Sequence, residues 1–136
     1  MKINIVSTTI IIIMLSNQKK VKTDFKIYNK ILDFNNYTRT NILFSIPKVH
    51  SDIRIHLSDE CFNLAKQLFF AVYNKGNIRM KYLVEMEVTI STIDMLLTNV
   101  KEMKCIKYET YISAVKKLEE VKTMIYAWVI NEEKKN

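Results

Sequence analysis

The sequence predicts an all-α protein that folds as an up-down-up-down antiparallel four-helix bundle. Proline and glycine, the residues that most strongly interrupt helices, occur only once each in 136 residues, at Pro47 and Gly76. Elsewhere apolar residues recur at spacings of three and four, which is the period of an amphipathic helix. Apolar residues make up 49% of the chain, enough for the core of one domain.

Residues 1–23 are expected to lie outside the bundle. An apolar stretch dominated by isoleucine is followed there by a basic segment. The stretch is shorter than the roughly 20 residues of a membrane-spanning helix, and no small-residue cleavage site follows it. We favour a start of translation at Met14. The alternatives are a short edge strand or apolar clamp on a neighbouring chain, and an export signal.

The bundle is expected to span residues 24–131 and to be followed by a charged tail, 132–136. Its first helix is predicted over 25–45, where apolar residues recur with helical spacing around an asparagine-rich middle. This helix should end before Pro47, because the residue that precedes a proline disfavours the α conformation.

The second helix, predicted over 51–74, has the clearest pattern. Its core-facing stripe advances by steps of three and four residues: Ile53, Leu57, Cys61, Leu64, Leu68 and Ala71. Ser51 is a favourable N-cap residue, and Gly76 supplies a left-handed turn residue after the helix.

The third and fourth helices are predicted over 77–103 and 107–131. Apolar residues form a heptad-like seam from Leu83 to Val100 in the third helix. In the fourth helix the inward residues run from Tyr111 to Trp128. Because the connections between successive helices are short, neighbouring helices should be antiparallel.

The second and third helices carry more apolar residues than one core requires. Monomers seldom leave large apolar patches in water, so we predict a homo-oligomer. The residues predicted for its interface are Ile55, Phe62, Phe69, Tyr73, Val88 and Met95. Coverage of this face by the N-terminal isoleucine-rich stretch is the alternative.

The net charge of +7 favours acidic partners such as nucleic acid. Residues 1–45 contain seven Lys or Arg but only two acids, so the excess is concentrated near the N-terminus. The residues predicted to contact a nucleic acid or partner are Lys19, Lys20, Lys22, Lys26, Lys30, Lys48, His50, Arg54, His56, Arg79, Lys81, Lys104 and Lys107. They would contact phosphates without base specificity. The alternative is a charged surface that serves only solubility.

The sequence offers little support for catalysis. His50 and His56 lie six residues apart, which is not the spacing of a helical metal-binding pair. Cys61 and Cys105 form no CxxC motif, and a single glycine cannot build a phosphate-binding loop. We therefore predict a cytoplasmic protein that is not an enzyme and that holds no metal or cofactor.

Several segments together are similar to one small family. Ile46-Pro47-Lys48 precedes an amphipathic helix through Phe69-Phe70-Ala71 and a Lys-Gly turn, and the next helix begins Lys81-Tyr82-Leu83. The last helix closes on Tyr126-Ala127-Trp128-Val129-Ile130. Over roughly residues 25–131 the chain resembles the four-helix-bundle family of the accessory variability determinant (Avd) of diversity-generating retroelements, which also includes the proteins encoded by 23S rRNA intervening sequences.

The resemblance implies a basic, ring-shaped homopentamer of four-helix protomers. Such a ring would bind the reverse transcriptase of the retroelement and its template RNA without being catalytic itself. The chain departs from the family at 94–99, which contains no Lys or Arg, and at Ala127-Trp128, where many relatives have Gly-Trp.

Two alternatives remain open. One is a bundle of the 23S rRNA intervening-sequence type, an interaction module whose partner is unknown. The other is a membrane-linked adaptor that uses the isoleucine-rich stretch.

Overall fold

A computed structural model describes residues 18–135, with side chains described from residue 26 onward. Within this range the chain forms four α-helices and no strand. The helices are α1 (Gln18–Asn41), α2 (Ser51–Tyr73), α3 (Gly76–Glu102) and α4 (Tyr108–Lys135). The all-helical, four-helix prediction is confirmed, whereas the interpretations of residues 1–17 fall outside the described residues.

The helices extend beyond the predicted bundle limits of 24 and 131 at both ends. Helix α1 begins at Gln18, so the basic segment starts the helix instead of closing a separate leader. Helix α4 continues to Lys135, so the expected charged tail is helical over 132–135. The physical reason for the second difference is Glu132, which is buried and ion-paired inside the bundle.

A single apolar core holds the four helices together. Each helix packs against the next one in the chain, and α4 also packs against α1. The predicted core stripe of α2 is buried from Leu57 to Ala71, while Ile53 at its start is half-buried. In the described part of the chain, no helix combines the length and apolarity needed to cross a bilayer.

The connection from α1 to α2 consists of two short 3₁₀ helices, Leu43–Ser45 and Lys48–His50, on either side of Pro47. The second 3₁₀ helix leads directly into α2. For this reason His50, and not Ser51 as predicted, occupies the N-cap position, and no side chain caps this helix. Ile42 and Ile46 are buried, so they anchor the connection to the core.

Gly76 has the left-handed conformation that the sequence predicted, with φ of +60°. It is the first residue of α3, separated from the end of α2 by two extended residues, Asn74 and Lys75. A side chain at position 76 would meet no neighbouring atom, so the backbone conformation alone favours glycine there.

The buried side chain of Arg79 joins α2, α3 and α4. Its Nε donates a hydrogen bond to the carbonyl of Ala71 at 2.8 Å, and its Nη2 donates to the carbonyl of Val72 at 3.3 Å. Its Nη1 is 2.9 Å from Oε1 of Glu132, and the guanidinium lies 5.3 Å from the ring centroid of Trp128. The last carbonyls of a helix lack partners within that helix, and Arg79 supplies donors to two of them.

Helix α3 ends in a Schellman motif. The amide of Cys105 bonds to the carbonyl of Val100 at 3.1 Å, and the amide of Lys104 bonds to the carbonyl of Lys101 at 2.9 Å. Lys104 has φ of 58°, the left-handed conformation that glycine usually supplies in this motif. The chain therefore turns toward α4 without a glycine.

Removing the Arg79 guanidinium should destabilise the bundle strongly. Arg79→Met removes one partner of a buried carboxylate and the Arg79 donors of two helix-end carbonyls, so we expect a loss of about 3–5 kcal/mol in the free energy of unfolding. Urea denaturation followed by circular dichroism measures this value.

Lys135→Met is the matched control, because Lys135 pairs with the same carboxylate at 3.7 Å but is exposed. We expect it to change the free energy of unfolding by less than about 0.5 kcal/mol. Equal stability of Arg79→Met and the wild type would contradict the role assigned to Arg79.

Candidate nucleic-acid and partner surfaces

A groove lies between the end of α1 and the start of α2. Its volume is about 380 Å³, and its lining consists of Arg39, Leu43, Phe44, Arg54, Ile55, Ser58 and Asp59. A second cavity of about 150 Å³ shares Arg39, Leu43 and Ser58 with it and extends toward Asn35, Asn36, Cys61 and Phe62. We call the two cavities together the α1–α2 groove.

The packing of the α1–α2 connection determines which side chains face this groove. Ile42 and Ile46 are 0% and 2% exposed, so both point into the core. Between them the chain makes a 3₁₀ turn, which leaves Leu43 half-buried and Phe44 81% exposed. An aromatic ring is thus held in water on a segment that is anchored on both sides.

Two arginines give the groove its charge. Arg39 comes from the last turns of α1 and Arg54 from the first turns of α2. Neither makes an ion pair with any residue that the structure describes. Asp59 is the one carboxylate in the lining, so two guanidiniums and one carboxylate leave a net charge of +1.

The side chain of Asn35, which lines the second cavity, has one unpaired oxygen. Asn35 donates from Nδ2 to the carbonyl of Cys61 at 3.1 Å. Its Oδ1 is buried and accepts no hydrogen bond from the described residues. A buried amide oxygen without a donor carries a free-energy penalty, and the burial of this oxygen keeps it out of reach of a ligand in the groove.

Six of the predicted nucleic-acid residues lie at one end of the α2–α3 helix pair. Helices α2 and α3 contact each other through Ala71 and Arg79, and again through Gln67 and Thr89 at 2.9 Å. Residue numbers fall along α2 between these two contacts while they rise along α3. The start of α2 and the end of α3 therefore lie at the same end. We call the six residues found there the basic end: Lys48, His50, Arg54, His56, Lys104 and Lys107.

The other predicted residues do not join the basic end. Arg79 is only 2% exposed, and its burial among helix-end carbonyls removes it from the phosphate-contacting set, which corrects that prediction. Lys81 is exposed but lies near Arg79, about 30 Å along α3 from its last turn. Lys30 is engaged with Glu120 in an ion pair.

Three further predicted lysines and Lys26 belong to α1. The backbone of Lys19, Lys20 and Lys22 is helical, and their side chains fall outside the described ones. Lys26 is exposed. The predicted basic residues therefore form separate groups along the bundle.

The residues predicted for the oligomer interface also fall on more than one surface. Ile55 and Phe62 are exposed and line the α1–α2 groove. Val88 and Met95 are exposed on α3, where they line a shallow concavity with Val84, Glu87, Ser91 and Thr92, which we call the α3 stripe.

The remaining two members of that set differ from each other. Tyr73 is exposed near the α2–α3 turn, close in the chain to the exposed residues Phe70 and Ile78. Phe69 is half-buried, packs against the core and stacks on Tyr28 with 6.5 Å between ring centroids. Intramolecular packing therefore accounts for most of the Phe69 ring, and its place in an oligomer interface stays a prediction.

Two groove residues, Arg39 and Phe44, were missed by the sequence reasoning. The signal that would have found Phe44 is the pair of isoleucines two residues to either side of it. In a helical segment two core-facing residues four apart place the residue midway between them on the opposite, outward side.

The metal-ligating and thiol side chains of the described residues can be located in the fold. No group of three or more His, Cys, Asp or Glu side chains in this part of the chain is placed to hold a metal ion. Burial raises the pKa of the Cys61 thiol to about 12, and the neighbouring Glu60 adds to this shift. A thiol with so high a pKa is a poor nucleophile at neutral pH.

Comparisons with protein-family models, with curated proteins and with solved structures each found no match. The function must therefore be argued from the residues and surfaces described above.

The two thiols should differ strongly in reactivity toward an aromatic disulfide reagent at pH 8. The raised pKa of Cys61 lowers its thiolate fraction by roughly a thousandfold relative to the ordinary value of 9.0, whereas Cys105 is only half-buried. We expect one fast and one very slow reacting thiol, followed by absorbance of the released thiolate.

Cys105→Ser should abolish the fast phase, and Cys61→Ser should leave it intact. Both thiols should react at similar rates in denaturant. Two equally fast thiols in the folded protein would contradict the burial of Cys61.

Proposed function

We propose that this chain is a non-catalytic, RNA-binding scaffold, an accessory protein of a diversity-generating retroelement that binds template RNA and reverse transcriptase. The observation that carries the proposal is the grouping of cations at the basic end, beside a groove with two arginines that lack ion pairs in the described residues. Phosphate groups are the ligands that such guanidinium and ammonium groups bind without base specificity.

The proposal includes the up-down-up-down antiparallel topology. Contacts between neighbouring helices support it, because residue numbers rise on one helix while they fall on its neighbour. The pairs are Tyr28–Phe69 with Asn35–Cys61, Ala71–Arg79 with Gln67–Thr89, Arg79–Glu132 with Thr98–Tyr111, and Lys30–Glu120 with Asp33–Lys117. In this topology the α1–α2 and α3–α4 connections lie at the same end of the bundle.

The proposal also includes a ring-shaped homo-oligomer, a pentamer by resemblance. A closed ring joins two different patches of each protomer, head to tail. Two exposed apolar surfaces are available for this contact: the α3 stripe, and the group near the α2–α3 turn that contains Phe70, Tyr73 and Ile78. A ring would repeat the basic end once per protomer, so that weak phosphate contacts add up to a high avidity.

Replacing one residue of the α3 stripe by lysine should dissociate the oligomer. Val88 is 62% exposed in the single chain, so Val88→Lys should leave the fold intact and place a charge in the interface. We expect light scattering to give a multimer for the wild type and a monomer for Val88→Lys. Thr123→Lys, on the exposed face of α4, is the control and should leave the mass unchanged. A wild-type monomer would contradict the ring.

RNA binding should depend on salt and on the basic end. The variant Lys48→Gln/Lys104→Gln/Lys107→Gln removes three exposed cations, which should lower the slope of log affinity against log salt by about 2 for single-stranded RNA. Fluorescence anisotropy at salt concentrations from about 50 to about 300 mM measures the slope.

The matched control, Lys116→Gln/Lys122→Gln/Lys134→Gln, removes the same charge from exposed positions of α4 and should retain the wild-type slope. Affinity that does not change with salt would contradict the proposal. It would leave a four-helix interaction module of the rRNA intervening-sequence type.

A further inference from the structure

We propose that the α1–α2 groove is a binding site for one unpaired nucleotide of a single-stranded RNA. The base would stack on Phe44, and the adjoining phosphate would be held by Arg39 and Arg54. This inference rests on the proposed RNA binding and deepens it, because it assigns a ligand class to a groove of which only Arg54, Ile55 and Phe62 were predicted as site residues.

The groove presents an exposed aromatic ring, that of Phe44, at a fixed position. Phe44 is 81% exposed, although phenylalanine is one of the residues most often buried. The buried side chains of Ile42 and Ile46 hold the turn from both sides, so the ring is presented with little loss of backbone entropy on binding. Proteins that bind single strands use such rings as stacking platforms, and every base has a face that can stack.

The charge of the groove complements that of a nucleotide phosphate. Arg39 and Arg54 line the same cavity as Phe44, and neither forms an ion pair within the described residues. A guanidinium binds a phosphate through two parallel hydrogen bonds, so a nucleotide would supply the anion that the cavity lacks. A purely apolar peptide would cover the ring but would leave both arginines without an anionic partner.

The lining also bears on which nucleotides fit. It contains an exposed acceptor, the carboxylate of Asp59. Adenine, cytosine and guanine carry an exocyclic amino group that donates hydrogen bonds, whereas uracil has none. The carboxylate therefore favours an amino-bearing base over uracil.

The size of the groove suits a single nucleotide. A volume of about 380 Å³, extended by the adjoining 150 Å³, lies within the range of sites for small ligands. The faces of bases inside a duplex are covered by their stacked neighbours. Only an unpaired nucleotide can place its base on Phe44, so the groove should discriminate single strands from duplexes.

The test uses the full chain and a fluorescently labelled ribo-oligonucleotide of ten adenosines. We expect it to bind more tightly than a ten-uridine strand and more tightly than a duplex of the same length. Phe44→Ala and Phe44→Leu should each weaken binding of the adenosine strand roughly 5- to 150-fold, the range for loss of one base–aromatic stack. Phe44→Trp should retain binding, because the larger ring preserves the stacking surface.

Controls separate stacking from general effects. Tyr126→Leu removes an aromatic ring that is 59% exposed on α4 and should bind as the wild type does. Phe44 makes few contacts within the chain, so its variants should melt within a few degrees of the wild type. The fluorescence of a 2-aminopurine placed in the adenosine strand should change on binding to the wild type and change less on binding to Phe44→Leu.

Different results overturn different proposals. If Phe44→Leu binds like the wild type while Phe44→Ala binds weakly, the contact is apolar and of the kind a peptide makes, and the nucleotide site is wrong. If duplex and single strand bind equally, with salt dependence and without effect of Phe44→Ala, the nucleotide site is wrong and the proposed RNA binding stands. If no RNA binds at any salt concentration, both proposals are wrong.

Discussion

The buried guanidinium of Arg79 is the contact on which the arrangement of three helices depends. From the first turn of α3 it donates to carbonyls at the end of α2 and to the carboxylate of Glu132 on α4. A charge placed inside a bundle is tolerated only when its hydrogen bonds are complete, and here the carbonyls, the carboxylate and the ring of Trp128 supply its surroundings. The same contact explains why α4 remains helical to Lys135, beyond the end of its apolar pattern.

This arrangement also determines which cations are available to a partner. The α2–α3 end uses its arginine internally, whereas the opposite end leaves Arg39, Arg54 and several lysines and histidines at the surface. On the α1–α4 side, ion pairs such as Lys117 with Asp33 at 2.9 Å use further cations, and this hydrogen bond raises the pKa of Lys117. A count of basic residues in the sequence therefore overstates the charge that an RNA would meet, and their distribution over the fold is more informative than their number.

The sequence was sufficient to predict the number and type of helices, because the positions of Pro47 and Gly76 and the three-four spacing of Leu57 to Ala71 are local signals. Arg79 could not be placed, since the carbonyls it binds belong to another helix and leave no trace in the spacing of side chains. Phe69 and Phe62 share one periodicity, yet Tyr28 on α1 covers Phe69, and no ring among the described residues covers Phe62 in the same way. The groove was likewise hidden, because its residues come from two helices and a 3₁₀ turn that only the fold brings together.

At Lys104, which has the left-handed conformation after the end of α3, the residue best for stability differs from the residue best for binding anions. A lysine in this conformation costs the fold about 1 kcal/mol relative to glycine, and the Schellman hydrogen bonds would form equally well with either residue. The lysine ammonium group does not contribute to these backbone hydrogen bonds, but it adds a positive charge to the surface beside the α3–α4 connection. Position 104 is thus a place where engineering for heat resistance and engineering for affinity to polyanions would choose different amino acids.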